Sequence, residues 1–187
     1  MKGNPLVRLL VLLPLLIFLG CAATTPPAGD SPVIPLGKAN LEAVLEEQEG
    51  LEIKREDAKD LRDFYRGGVQ KKAAADKKFQ EKNYPEAMNL YDASDEFFRV
   101  VLKYSNEDVL EFPLFEGASI LFFPNLLVAD NHLKMGKILR EMGRESSARS
   151  QWKDALPFIK QSLQSERTEW GLSLQQEVLS LLNPPKG

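Results

Sequence analysis

The sequence predicts an all-α domain of antiparallel helix hairpins over residues 38–187, and three observations support this prediction. Apolar residues recur three and four positions apart through most of this region, which is the spacing of one face of an α-helix. Helix start and stop signals, among them Pro85 and Gly143, separate the periodic segments. No segment shows the sustained alternation of apolar and polar residues that is typical of a half-buried strand.

The first two predicted helices are a short one and a long one. Apolar residues with i, i+3, i+4 spacing predict a short amphipathic helix over residues 41–50. A longer, charged helix is predicted to follow over residues 55–82. Gly67 and Gly68 lie at its middle, where each glycine weakens a helix by about 1 kcal/mol relative to alanine.

A third helix is predicted to begin at Asn83-Tyr84-Pro85, because proline is favoured at the first helical position, where its missing N–H costs nothing. Its apolar stripe consists of Ala87, Leu90, Tyr91, Ser94, Phe97, Phe98, Val101 and Leu102. Another helix start is predicted at Ser105, with Asp108 in the reciprocal capping position.

Residues 110–128 are the most apolar part of the chain after its N-terminal segment, and Pro113 and Pro124 divide them. Neither piece is long enough to cross a membrane, and Glu111 and Glu116 interrupt the run. We interpret the region as a buried helix hairpin. The alternative is an exposed apolar patch that contacts a partner or a bilayer surface.

Three helices complete the predicted domain. The first runs from Pro124 to Met142, and Gly143 ends it in the C′ position. The second covers residues 145–163 and contains Pro157 near its end. The third runs from about Thr168 to Leu182 and carries one apolar face.

The N-terminal segment has the parts of a secretory signal peptide. Lys2 and Arg8 form a short positive region, and an almost purely apolar run over residues 9–19 follows. Eleven residues rise about 16 Å as a helix, which is short against a hydrocarbon core of roughly 30 Å. We therefore expect residues 1–20 to direct export and to be removed.

Phe18-Leu19-Gly20-Cys21, directly after the apolar run, resembles the lipobox of bacterial lipoproteins. The resemblance implies a diacylglyceryl group on the Cys21 thiol and cleavage before this residue. Phe18 stands where leucine is commonest. Ala22, which is not aspartate, implies sorting to the outer membrane, with the domain facing the periplasm.

Residues 21–37 are predicted to be a flexible tether. Between Ala22 and Gly37 there are four prolines and two glycines in sixteen residues, which prevents a helix or a central strand. Fully extended at about 3.1 Å per residue, the tether would reach roughly 50 Å from the lipid surface.

Small and aromatic residues recur at matching positions in two segments of the domain. The second segment has Gly136, Gly143, Ala148, Trp152 and Ala155, and the first has Ala75, Tyr84, Ala87, Tyr91 and Ser94. The pattern resembles the tetratricopeptide repeat, a helix-turn-helix unit with small residues where its helices pack closely. The resemblance covers roughly residues 68–102 and 129–162 and implies a solenoid of stacked hairpins. A generic helical bundle uses the same residue types, so it stays open as the alternative.

The two segments also depart from the repeat. The departing residues are Lys78, Lys82 and Glu145, in place of an aromatic, a glycine and an aromatic, and Arg99 and Lys160, in place of the closing proline. Ala87 and Ala148 are 61 residues apart rather than 34, so about one helical insertion separates the units.

In proteins built from such repeats, the first helix of each unit lines a concave surface that binds peptides. By register, the resemblance places six residues on that surface: Lys72, Asp76, Phe79, Leu133, Lys137 and Arg140. We hypothesise that Lys72, Lys137 and Arg140 contact an acidic peptide or the C-terminus of a partner chain.

Charge and composition argue against several classes of function. The formal charge is −3, and it becomes −5 without residues 1–20, so a nucleic acid is a poor partner. One Cys and one His cannot form a His/Cys metal cluster. His132 has no nucleophile motif beside it, and the carboxylate runs suit solvated helix faces better than acid/base pairs. We predict neither an enzyme nor a cofactor.

The sequence thus predicts a lipid-anchored interaction or scaffold protein of the bacterial cell envelope, with an envelope protein or peptide as its partner. The alternative is a solute-binding or transport-associated lipoprotein. Its ligand would occupy an apolar pocket between helices, formed by residues 112–128.

Overall fold

The computed structural model describes the backbone of residues 33, 52–53, 59–104, 110–111 and 122–184. Over these residues the chain forms five helices: α1 (Lys59–Gln80), α2 (Tyr84–Tyr104), α3 (Phe122–Glu141), α4 (Glu145–Ser165) and α5 (Glu169–Leu182). The predicted all-α fold of antiparallel helix hairpins is therefore confirmed. Two strands of two residues each, β1 (Glu52–Ile53) and β2 (Leu110–Glu111), form an antiparallel pair.

The helix boundaries lie within a few residues of the predicted ones. Helix α3 begins at Phe122, so that Pro124 lies in its first turn. A proline is tolerated there because the backbone N–H groups of the first turn have no intrahelical partner. Helix α4 extends two residues beyond its predicted end. Helix α5 follows Thr168, whose side-chain oxygen accepts a 3.0 Å hydrogen bond from the Gly171 N–H as an N-cap.

Several predictions concern residues outside the described ranges. They are the signal peptide over residues 1–20, the lipidated Cys21 with its tether to residue 37 apart from the exposed Val33, the helix over residues 41–50, the helix start at Ser105 and the break at Pro113. These stay predictions. Among the described residues, no helix is both long and apolar enough to cross a bilayer.

The two hairpins, α1–α2 and α3–α4, turn in the same way. At the first turn, the Asn83 N–H donates to the Lys78 carbonyl at 2.9 Å, and Lys82 has a φ of 57°. At the second, the Arg144 N–H donates to the Leu139 carbonyl at 2.8 Å, and Gly143 has a φ of 72°. Both are helix C-caps with a left-handed residue at C′. Lysine therefore occupies a position in the first turn that favours glycine.

We expect Lys82→Gly to raise the free energy of unfolding by about 1 kcal/mol, because glycine adopts a positive φ without steric cost. Gly143→Ala should lower it by a similar amount. An added Cβ at Gly143 would meet no atom within 4 Å, so the backbone conformation alone sets this cost. Urea denaturation measures both changes. If the two substitutions changed the free energy of unfolding in the same direction, the assignment of Lys82 and Gly143 as equivalent left-handed C′ residues would be wrong.

The two hairpins also have equivalent residues where the two helices of each hairpin pack most closely. A Cβ on Gly136 would lie 2.1 Å from Trp152 Nε1, so the absence of a side chain there lets the fully buried indole pack on α3. The equivalents 61 residues earlier are Ala75 and Tyr91, which lie together in one buried cluster. Ala87 and its equivalent Ala148 are both fully buried. The small residues singled out in the sequence thus mark the contacts within each hairpin.

Helix α3 lies at the centre of the core. Its residues 124–128 are all buried, and so is most of the helix beyond them. Apolar side chains from the other four helices form one cluster with its Leu126, among them Tyr65, Phe98, Trp152 and Trp170. The interpretation of residues 110–128 as a buried helix hairpin is confirmed for residues 124–128, which are helical and buried. It is wrong for residues 110–111, which form β2, and residues 112–121 lie outside the described part of the chain.

Candidate functional site

Polar residues interrupt the apolar surface of α3 where it crosses the first hairpin. Asp130, Asn131 and His132 follow one another in sequence, and each is buried, with at most 7% of its surface exposed. Consecutive helical residues point to different sides, so the three side chains together reach more than one neighbouring helix. Buried polar groups at these positions need partners, and α1, α2 and α4 supply them.

The first part of this arrangement is an ionic cluster between α1 and α3. Lys72 Nζ forms an ion pair with Asp130 Oδ2 and lies 3.9 Å from Asp76 Oδ1. Lys134 Nζ lies 2.7 Å from Asp76 Oδ1 and 3.0 Å from Asp130 Oδ2. Two ammonium groups and two carboxylates thus alternate, and their formal charges cancel within the cluster.

Burial and pairing act in opposite directions on the two lysines. Burial lowers the pKa of Lys72, against the attraction of Asp130 and Asp76. Burial also acts to lower the pKa of Lys134. Its pKa is nevertheless raised above the ordinary value, because Asp130 and Asp76 attract the ammonium group and accept hydrogen bonds from it. The charge of Lys72 therefore depends on Asp130 more critically than that of Lys134 does.

Asn131 extends the cluster to α2. Its Oδ1 accepts a 3.0 Å hydrogen bond from Lys72 Nζ, and its Nδ2 donates to Ser94 Oγ at 3.0 Å and to Asp95 Oδ1 at 2.8 Å. Ser94 in turn donates to the Gly68 carbonyl at 2.9 Å. The Asn131 side chain is fully buried, and both of its amide hydrogens are donated in hydrogen bonds. Asn131 therefore joins α1, α2 and α3 at one point.

His132 carries the arrangement on to α4. Its Nδ1 lies 2.6 Å from Gln151 Oε1, and its Nε2 lies 3.3 Å from Asp95 Oδ2 without a hydrogen bond between them. The imidazole stacks on the Phe158 ring, with 5.8 Å between centroids. Burial raises the pKa of Asp95 to about 6, against the attraction of His132 and the hydrogen bond from Asn131.

Together these groups form one buried polar network across four helices. Its members are Lys72, Asp76, Tyr91, Ser94, Asp95, Asp130, Asn131, His132, Lys134 and Gln151. Tyr91 closes it on the α2 side by donating a 2.6 Å hydrogen bond to Asp76 Oδ1. Among the described residues, no group of three or more His, Cys, Asp and Glu side chains is placed to hold a metal ion. Ion pairing and proton binding are the chemistry that the network supports.

The six residues predicted to bind a partner divide between this network and the surface. Lys72 and Asp76 belong to the network, and Leu133 is 2% exposed. Phe79 is half-buried and packs near Tyr84, with 6.3 Å between ring centroids.

The other two predicted residues lie nearer the solvent. Lys137 is half-buried and forms a 2.6 Å ion pair with Glu177 of α5. Arg140 is exposed, and its guanidinium lies 5.4 Å from the centre of the Trp152 ring. Partner contact by all six residues stays a prediction. In the described structure, only Arg140 of the six is classed as exposed.

Sequence reasoning did not identify Asp95, Asp130, Asn131 and Lys134. A signal was present, because polar residues at 130, 131, 132 and 134 occupy most of the circumference of a helix that lies in a strongly apolar region. A helix surrounded by apolar neighbours is buried on all sides, and its polar residues must then be paired with each other or with adjacent helices.

Comparisons of the chain with models of protein families, with curated proteins and with solved structures find no match.

Proposed function

We propose that the chain is a lipid-anchored helical scaffold of the bacterial cell envelope, which holds a protein or peptide partner against its helix hairpins. The anchor is supported by the Phe18-Leu19-Gly20-Cys21 segment, which follows a short apolar run and a positive N-terminus. Two acyl chains on one cysteine give stable membrane attachment, whereas a single chain binds only marginally.

The scaffold role is supported above all by the repeated geometry of the two hairpins. Ala87 and Ala148 are buried at equivalent places, and both turns have the same C-cap hydrogen bonds 61 residues apart. Repeated hairpins of this kind, when stacked as tetratricopeptide units, present their first helices as one extended binding face. In this chain the C-terminal ends of α1 and α3 would form that face, with Phe79, Lys137 and Arg140 nearest the solvent.

The anchor is tested by replacing the only cysteine. We expect Cys21→Ser to abolish labelling by radioactive palmitate and to move the protein from the detergent phase to the aqueous phase in a phase-separation assay, because the acylated thiol is lost. The matched control is Ser31→Ala in the tether, which should leave both unchanged. Unaltered partitioning of the Cys21→Ser protein would contradict the proposed anchor.

Partner binding is tested by charge reversal on the proposed face. Lys72 is left unchanged because it is buried, so that its reversal would disrupt the fold itself. We expect Lys137→Glu combined with Arg140→Glu to reduce the yield of a partner crosslinked in native membranes by at least about tenfold, the effect of losing 1.4 kcal/mol. Thermal unfolding of the double variant checks that loss of the Glu177 pair has not unfolded it.

The control for this experiment is Lys153→Glu combined with Lys160→Glu. Both lysines are exposed on α4, and the change in net charge is the same. The control should keep the crosslinked partner. Equal loss in both double variants would show a general charge effect, and full retention in both would reject the α1–α3 face as the binding site.

A further inference from the structure

His132 Nε2 and Asp95 Oδ2 lie close together, but no hydrogen bond joins them. Gln151 Oε1 can only accept, so the His132 Nδ1, 2.6 Å away, carries a hydrogen. In the neutral imidazole, Nε2 then has a lone pair and no hydrogen. That lone pair lies 3.3 Å from Asp95 Oδ2, another acceptor when the carboxyl is ionised. Two acceptors facing each other in a buried place are unfavourable until a proton is placed between them.

We propose that Asp95 and His132 take up one shared proton, and that this proton strengthens the contact between the α1–α2 and α3–α4 hairpins. Asp95 belongs to the first hairpin, and His132 and Gln151 belong to the second. With the proton present, Nε2 and Oδ2 form a hydrogen bond, either as imidazolium and carboxylate or as imidazole and carboxylic acid. Without it, a buried carboxylate faces a lone pair.

The surroundings of the pair favour a protonated Asp95 carboxyl over an ionised one. Asp95 and His132 are 5% and 7% exposed. From its own helix, Asp92 raises the pKa of Asp95 and Arg99 lowers it; from α3, His132 and Asn131 lower it; burial outweighs these and brings it to about 6.

The other helices contribute few charges near the imidazole. Helix α4 offers it the neutral Gln151 and the Phe158 ring. Helix α1 is linked to the pair through Lys72, which donates to Asn131 Oδ1. From α2, Asp92 also interacts with the imidazole, and burial raises the pKa of this carboxyl as well.

The sign of the pH dependence follows from the raised pKa of Asp95. The Asp95 carboxyl takes up a proton more readily in the folded chain than in the unfolded chain, because burial raises its pKa from 3.8 to about 6. The group therefore stabilises the fold fully below about pH 4, and that stability is lost as the pH rises through about 6.

The proposal is tested on the full chain in detergent micelles by urea unfolding between pH 4 and pH 7. The fluorescence of Trp152 and Trp170, the only two tryptophans, gives the unfolding constant. We expect this constant to rise by up to about 100-fold more in the wild type than in Asp95→Asn over this range, since the substitution removes the roughly two pKa units by which burial raises the Asp95 carboxyl. Asp154→Asn removes an exposed charge from α4 and should follow the wild type.

A second measurement follows the imidazole directly, which is possible because His132 is the only histidine. We expect the pH-dependent change of its NMR signals to differ between Asp95→Asn and the wild type, because Nε2 then faces a neutral amide instead of a carboxyl group. Asp154→Asn should not move them. Coincident titration curves in all three proteins would overturn the proposal.

If Asp95→Asn does not fold, Gln151→Leu tests the same idea. This substitution removes the acceptor for Nδ1, so the neutral ring can carry its hydrogen on Nε2 and donate to Asp95 without an additional proton. The pH dependence of unfolding should then become shallower than in the wild type. An unchanged slope in Gln151→Leu would overturn the proposal even if the variant were less stable.

Discussion

Asp130→Ala is expected to lower the free energy of unfolding by about 3–5 kcal/mol, the typical cost of removing one partner from a buried ion pair. Lys72 is 5% exposed and would keep only the more distant Asp76 carboxylate, which Lys134 also uses. Domains of this size are stable by only about 5–15 kcal/mol, so the variant would lie near the limit of folding.

Urea denaturation of Asp130→Ala should be compared with two other variants. Asp63→Ala removes a carboxylate whose ion pair with Arg66 is exposed, and it should change stability little. Lys72→Met combined with Asp130→Leu removes one charge of each sign, leaves the Lys134–Asp76 pair in place and should cost much less than Asp130→Ala alone. If the double variant were the least stable of the three, the cluster would not be held by charge pairing.

Gly136→Ala is expected to destabilise the chain by about 1–3 kcal/mol, although alanine is the better helix former. The added Cβ would lie 2.1 Å from Trp152 Nε1, and the indole has no free space because it is fully buried. The change would also disturb the 3.3 Å hydrogen bond from Nε1 to the Leu133 carbonyl.

Gly67→Ala is the matched control for this substitution. Its Cβ would lie 2.6 Å from Phe97, but that ring is half-buried and can turn toward solvent. We expect a change near zero, or a gain of up to about 1 kcal/mol from helix propensity. Thermal unfolding of both variants gives the comparison. Trp152→Leu combined with Gly136→Ala should cost less than the sum of the single changes, and strict additivity would contradict the proposed clash.

The fold could be predicted from the sequence because its signals are local. The turn at Gly143 and the helix start before Pro85 depend on neighbouring residues only, and the structure has both. Lys82 could not be identified as a left-handed residue from its type, since lysine has no preference for that conformation. The apolar character of Phe64 does not reveal its exposure either: it is 38% exposed and packs on Phe97.

The polar network could not be predicted in the same way, because it depends on which helices meet. Lys72 and Asp130 are 58 residues apart, and nothing in the local sequence of either residue specifies the other. Register within a tetratricopeptide-like unit placed Lys72 on an open surface, whereas α3 covers it in the structure. Only the absence of a single apolar stripe on α3 indicated that this helix is enclosed.

The alternation of charges between α1 and α3 also has a consequence for how the chain folds. Each hairpin closes through a turn of only a few residues, so each can form quickly and independently, as low contact order favours. Docking the hairpins is the slower, non-local step. Sliding α3 past α1 by one helical turn, about 5.4 Å, would leave Lys72 and Asp130 without each other in an apolar setting. We therefore expect misdocked arrangements to be rejected at this step, which gives the assembled chain one alignment instead of several.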